Sequence, residues 1–180
     1  MKFLSNDERF HYALDYLLQD EGGYTNELDD RGGETKFGIT QSELNKYHSK
    51  LGLPAKVIDL TRENAATYYK KIWWDRYNYN LINDIKVATK IFDLAVNIGA
   101  TEAHKITQEA LSYNGYSIIL IDGILGNKTI ACINEVCRHG RDVDLLNDIR
   151  EDARLYYEHL IEINPRLKKF ENGWLVRAMR

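Results

Sequence analysis

Apolar side chains near the start of the chain fall on one helical face. Phe10, Ala13, Leu14, Leu17 and Leu18 recur at three- and four-residue steps, the spacing of an amphipathic helix. Ser5-Asn6-Asp7-Glu8 is a capping box at its start: the serine accepts from the third helical N–H and the glutamate reaches back. The helix is expected from about Asn6 to Asp20, stopping at Gly22-Gly23. Over residues 22–39 the period vanishes and Gly, Asp, Asn and Thr dominate. Turns are expected there, with room for one short, irregular hairpin.

Helical spacing then returns. Thr40-Gln41-Ser42-Glu43 reads as a second capping box, opening a helix to about Lys50 that Gly52-Leu53-Pro54 breaks. Thr61 caps a third helix with Ala65, Ala66, Tyr69, Ile72 and Trp73 along it, and residues 77–83 read as an asparagine-rich turn. A fourth helix is expected over 84–98, with Val87, Ala88, Ile91, Leu94 and Ala95 inward, and a fifth from a Thr101 cap to about Tyr113. Residues 114–127, NGYSIILIDGILGN, form a second glycine-rich break. SIILI has no obvious strand partner, so a loop around an apolar plug is expected. Helices follow at about 128–138 and 142–163, and a short one near Phe170. The expected class is all-α with at most one small hairpin after the first helix. Because the helical run from 84 to 113 is continuous, two lobes packed as one body are expected, 1–96 and 97–180.

Composition narrows the function classes. A net charge of −3 gives no basic field for nucleic acid, which makes a helical DNA-binding protein a poor reading. Arg166, Lys168, Lys169, Arg177 and Arg180 make the C-terminal stretch locally basic; a solvated tail is the simpler reading, attraction to an anionic polymer or membrane the sharper one. No apolar run approaches the ~18 residues of a membrane span, so no stable membrane insertion is expected. MKFLSNDERF places charges where a secretion signal would place its apolar run, so a chain made and kept in a cytoplasm is expected. Cys132 and Cys137 read as reduced small hydrophobes, and the five histidines show no metal spacing.

The segment EGGYTNELDDRGGETKFGIT, 21–40, concentrates the candidate chemistry. Glu21 falls where the first helix is expected to end. Unpaired carbonyls and the negative end of the helix dipole disfavour its anion and raise its pKa, which suits a general acid. A solvated glutamate at a frayed helix end is the simpler reading of that residue alone. Asp30, beside Arg31, could remain ionised and stabilise positive charge or polarise a water; an Asx turn that only shapes the loop is equally open. Thr35 could orient a water or merely bond the local backbone. Glu27 and Glu34 are weaker candidates. Gly38 would let a sugar approach the backbone closely. Trp73 and Trp74 diverge on a helix, and an exposed ring could serve as a sugar platform; Trp73 is the one expected in the core.

These residues carry a resemblance. Glu21, eight intervening residues, Asp30, four more and Thr35 are similar to the Glu–Asp–Thr triad of phage-type lysozymes, whose second gap is usually one longer. The whole block resembles glycoside hydrolase family 108, the N-acetylmuramidases found among phage endolysins: EGGY, an acidic-proline pair, an Asp before Gly-Gly, a Thr, then Gly-Ile-Thr. The likeness continues through Tyr69–Trp74 and FDLAVNIGA, 92–100. IDGILGNKT, 121–129, and FENGWLVRAMR, 170–180, resemble the companion peptidoglycan-binding region and its usual ending. Glu27-Leu28 replaces the usual Asp-Pro, and Arg31 a common Pro.

The resemblance implies a lysozyme-like fold and a muramidase that cuts the β-1,4 bond between N-acetylmuramic acid and N-acetylglucosamine. It implies Glu21 as acid, Asp30 and Thr35 as its catalytic partners, and Tyr24, Phe37, Gly38, Trp74 and Asn97 as substrate-binding residues. No metal or organic cofactor is implied. The implied partner is the peptidoglycan glycan strand, met by a monomer that waits in the host cytoplasm until a holin releases it. A lytic transglycosylase on the same bond, and a non-catalytic wall-binding or secretion-assisting protein, are the alternatives.

Overall fold

The computed structural model describes residues 4–19, 34–116 and 120–180. The chain divides into two compact units, Met1–Asn80 and Leu81–Arg180. Among the described residues the fold is mainly helical, with one two-stranded sheet.

The first unit begins with α1 (Asn6–Leu17), whose capping box forms as expected between Ser5 and Glu8. Phe10, Ala13, Leu14 and Leu17 are its buried face. The helix stops at Leu17, short of the expected Asp20: Leu18 N–H bonds back to Leu14 and Gln19 N–H to Tyr16, closing a turn.

A hairpin of β1 (Thr35–Lys36) and β2 (Ile39–Thr40) follows, pairing Thr35 with Thr40 and Lys36 with Ile39. Its two turn residues, Phe37 and Gly38, both have positive φ, at 54° and 73°, the mark of the primed turn that matches strand twist. Helix α2 (Gln41–Leu51) starts directly from it. Thr40 accepts from Glu43 N–H as expected, but the Glu43 carboxylate faces Lys46 and the Tyr68 hydroxyl instead of closing a box. Gly52, at φ 65°, ends the helix in the left-handed conformation that glycine tolerates best.

Helix α3 (Arg62–Tyr69) opens on a full Thr61–Asn64 box and runs into a π-helical turn, Lys70–Trp74. Here Asp75 N–H bonds to Lys70 C=O, five residues back. The core of the unit gathers Phe10, Leu14, Leu17, Leu44, Leu60, Tyr68, Tyr69, Trp74 and Tyr79, all buried. Trp74 meets the edge of Phe10 and tilts against Tyr79.

The second unit contains α4 (Ile85–Ile98), α5 (Ala100–Tyr113), α6 (Asn127–Arg138), α7 (Asp142–Ile163) and α8 (Glu171–Met179). The 22-residue α7 touches each of the other four. Asp84 caps α4 with its carboxylate. Thr101 is no cap: α5 starts at Ala100, two residues earlier than a Thr101 cap would set it, after Gly99 at φ 90°, so the chain turns from one helix into the next on a single glycine. Buried Asp93 is gripped by the Arg177 guanidinium at 2.9–3.3 Å, and Lys90 donates to the Arg177 carbonyl. No helix among the described residues is long and apolar enough to cross a membrane.

Candidate functional site

Glu21, Tyr24 and Asp30, with Glu27, lie outside the described residues. Glu21 falls four positions after the last residue of α1, Leu17. The expected effect of a helix end on the Glu21 carboxyl lies outside the described residues with it.

Thr35, Phe37 and Gly38 are brought together in the hairpin, each half-buried. Three contacts fix its place. The Tyr69 hydroxyl donates to the Phe37 carbonyl at 2.8 Å. Lys36 Nζ donates to the Ile58 carbonyl at 2.7 Å and lies 5.7 Å from the Phe37 ring centre. Gln41 N–H bonds to the Glu34 carbonyl, extending the strand pairing by one step. The Gln41 side chain then joins Ala55 C=O and Val57 N–H. Thr35 thus sits on a short strand held at the turn, at the strand end and through the following helix.

Trp74 is not an exposed platform. It is 0% exposed, and Trp73 is the half-exposed ring, tilted 6.1 Å from Tyr77. The physical reason is the π turn. One extra residue per turn rotates the helical phase, so the inward position after Tyr69 falls five residues on, at Trp74, instead of four. Asn97 is on α4 in the second unit, and the hydroxyl of buried Tyr157 donates to its carboxamide oxygen. Tyr157 in turn stacks on Trp174 at 5.2 Å, and Trp174 on Phe170 at 5.6 Å.

The sequence pattern assigns no role to Tyr69, Lys36 or Gln41. Only the partners they reach, up to 32 residues away, reveal their roles. Among the described residues no three His, Cys, Asp or Glu side chains gather as a metal site. Cys132 and Cys137 are free and half-buried, and burial pushes the Cys137 thiol up to about 12, so neither is poised as a nucleophile.

The second unit carries its own built feature, the loop Asp122–Gly126 before α6. Buried Gln108 on α5 accepts from Gly123 N–H at 2.8 Å and donates to Asp122 Oδ1 at 2.9 Å and Ile124 C=O at 3.2 Å. Asp122 Oδ1 also accepts from Ile124 N–H. These bonds, the Gln108 one foremost, hold the Asp122 carboxyl below its ordinary range. His104 Nδ1 lies 3.0 Å from the Gly123 carbonyl, so that nitrogen carries the proton, and burial lowers the ring's pKa. Gly123 has φ 75°, and a Cβ there would lie 2.7 Å from both Thr101 O and Cγ2. Only glycine allows that approach.

Comparison with known proteins divides the chain later than the compact units do, after α4 instead of before it. Residues 14–99 match the family model described as Glycosyl hydrolase 108. Residues 102–179 match the one described as Predicted Peptidoglycan domain. Among solved structures, SagA of Brucella abortus is 24% identical with a TM-score of 0.74, over 96% of this chain and 90% of that one. At that identity the likeness speaks for the fold. No curated protein matches the chain.

Proposed function

The chain belongs to the glycosyl hydrolase 108 family and carries a C-terminal peptidoglycan domain; from that premise we propose that this peptidoglycan hydrolase is a muramidase. Its target is the β-1,4 bond between N-acetylmuramic acid and N-acetylglucosamine. Glu21 protonates the leaving oxygen. Asp30 stabilises the oxocarbenium-like charge or activates water, and Thr35 orients that water. The observation that carries this is the order Glu21–Asp30–Thr35 inside the family-matched range, with Thr35 delivered on a hairpin anchored by Tyr69, Lys36 and Gln41. Every step is proton transfer or charge stabilisation by side chains.

Substrate contact is assigned to Tyr24, Phe37, Gly38 and Asn97. Trp73 takes the stacking role in place of Trp74, because it is the ring that reaches solvent. The catalytic lobe is assigned to 1–96 and the wall-binding lobe to 97–180. The family ranges 14–99 and 102–179 support that assignment, although α4 packs with α5 and α7. The proposed setting is a phage or prophage endolysin, monomeric and held in the host cytoplasm until a holin opens a path; its motif likeness to phage muramidases supports this.

The test is release of fragments from purified sacculi, wild type against Glu21→Gln. The expected result is loss of nearly all activity in the variant, with products that have gained one water each by mass spectrometry. A fully active variant removes the acid assignment. Products ending in 1,6-anhydro sugars identify a transglycosylase. Sedimentation with sacculi without any released fragments identifies a mere binder.

A further inference from the structure

A cavity of about 650 Å3 opens where the Asp122–Gly126 loop meets α6. Its apolar lining is Leu120, Ile124, Ala131 and Cys132, and Asn127 and Lys128 stand among its polar residues. Leu120 and Ile124 are 74% and 67% exposed. Ile124 thus faces solvent on a loop that Gln108, His104 and the Gly123 approach fasten in place, and Leu120 faces solvent two residues before that loop. A cavity of this size, mostly apolar with a few directed polar groups, has the make-up of a ligand site.

The lining discriminates between the two components of peptidoglycan. Among the described residues no Trp, Tyr or Phe lines the cavity, and a sugar ring binds chiefly by laying its C–H face on an aromatic ring. A stem peptide offers alanine methyl groups for aliphatic surface and free carboxylates for a cation. Lys128 is exposed and makes no ion pair among the described residues. Beside it, α6 opens without a side-chain cap, which adds its first N–H groups to the same positive end.

We propose that this cavity binds the stem peptide of peptidoglycan, its methyl groups against Leu120 and Ile124 and a carboxylate at Lys128; the inference rests on the reading that the second unit meets the wall. The glycan is then left to the substrate-contact residues assigned above, none of which, among the described residues, lines this cavity, and the chain reads both parts of its polymer with separate surfaces.

Isothermal titration of the full chain with the free tetrapeptide L-Ala–γ-D-Glu–diaminopimelate–D-Ala tests this, with tetra-N-acetylglucosamine as the glycan probe. The tetrapeptide is expected to bind, the saccharide not to displace it, and Lys128→Glu and Ile124→Asp each to weaken binding at least tenfold. Both positions are exposed, so thermal melts should match the parent, and Val176→Ser, away from the cavity lining, should bind as the parent does. Undiminished binding by Lys128→Glu, displacement by the saccharide, or no binding by the parent overturns the proposal. Sacculus cleavage is read separately. Peptide binding without cleavage supports the cavity and removes the muramidase reading; cleavage without peptide binding does the reverse.

Discussion

The Tyr69 hydroxyl donates to the Phe37 carbonyl at 2.8 Å, joining the end of α3 to the turn of the hairpin that carries Thr35. Tyr69 is 1% exposed, so water does not readily replace the bond. Tyr69→Phe keeps the ring and removes the donor. A net loss of about 1 kcal/mol in stability is expected, since an intramolecular hydrogen bond is worth roughly that much. Sacculus cleavage should fall about fivefold, roughly 1 kcal/mol of transition-state positioning. Denaturant melts and initial rates measure the two. Unchanged rates with a lowered midpoint would confine Tyr69 to stability.

Phe37 offers a test in which stability and binding move in opposite directions. A bulky residue at φ 54° is held against its own preference, at a cost of about 1–2 kcal/mol relative to residues that tolerate the left-handed region. Asparagine tolerates it. Phe37→Asn is expected to raise stability by about 0.5 kcal/mol, because removing the ring's packing offsets part of the strain relief. If the Phe37 ring touches glycan, KM rises several-fold in the same variant. A lower stability would mean that the ring's packing outweighs the backbone strain.

The two adjacent tryptophans should separate cleanly. Trp74→Ala removes a fully buried ring that packs on Phe10 and Tyr79 and is expected to cost about 3–5 kcal/mol, enough to unfold the first unit at moderate temperature. Trp73→Ala should fold, with a loss near 1 kcal/mol, and raise KM without changing kcat if its ring stacks on sugar. Circular dichroism and steady-state kinetics check both. Equal destabilisation of the two variants would contradict the π-turn phase.

The same π turn shows why part of the chain was legible as sequence and part was not. Helices α4, α6 and α7 follow from apolar stripes of ordinary period, and their ends from local signals such as Asp84 and Gly99. Those signals are carried by neighbouring residues and need no knowledge of the fold. The exchange of Trp73 for Trp74 turns on the π-helical turn Lys70–Trp74, where Asp75 N–H bonds five residues back to Lys70, which leaves no mark in composition. Thr101 and Gly99 competed for one helix start, and the glycine's φ of 90° decided it. At the site, spacing named Thr35, Phe37 and Gly38. The bonds that hold them come from Tyr69 and Ile58, at separations no local pattern encodes.

Asp152 gives the chain a stability that depends on pH with a definite sign. Burial first, then the charges of Glu109 on α5 and of Asp148 and Glu151 on α7, push its carboxyl up to about 6. In the unfolded chain it titrates near its ordinary value of 3.8. Between those values the folded chain keeps a proton that the unfolded chain has released. This stabilisation is complete below about pH 4 and is lost as pH rises through about 6. Asp152→Asn is neutral in both states and escapes the loss. At pH 7 the variant is expected to be more stable by about 1 kcal/mol, a figure discounted because the side chain is half open to solvent; at pH 4 the gain should shrink toward zero. Denaturant midpoints of parent and variant at the two pH values decide it. A gain that persists at pH 4 would point to relieved packing strain, and no gain at pH 7 would mean that Glu109, Asp148 and solvent already accommodate the charge.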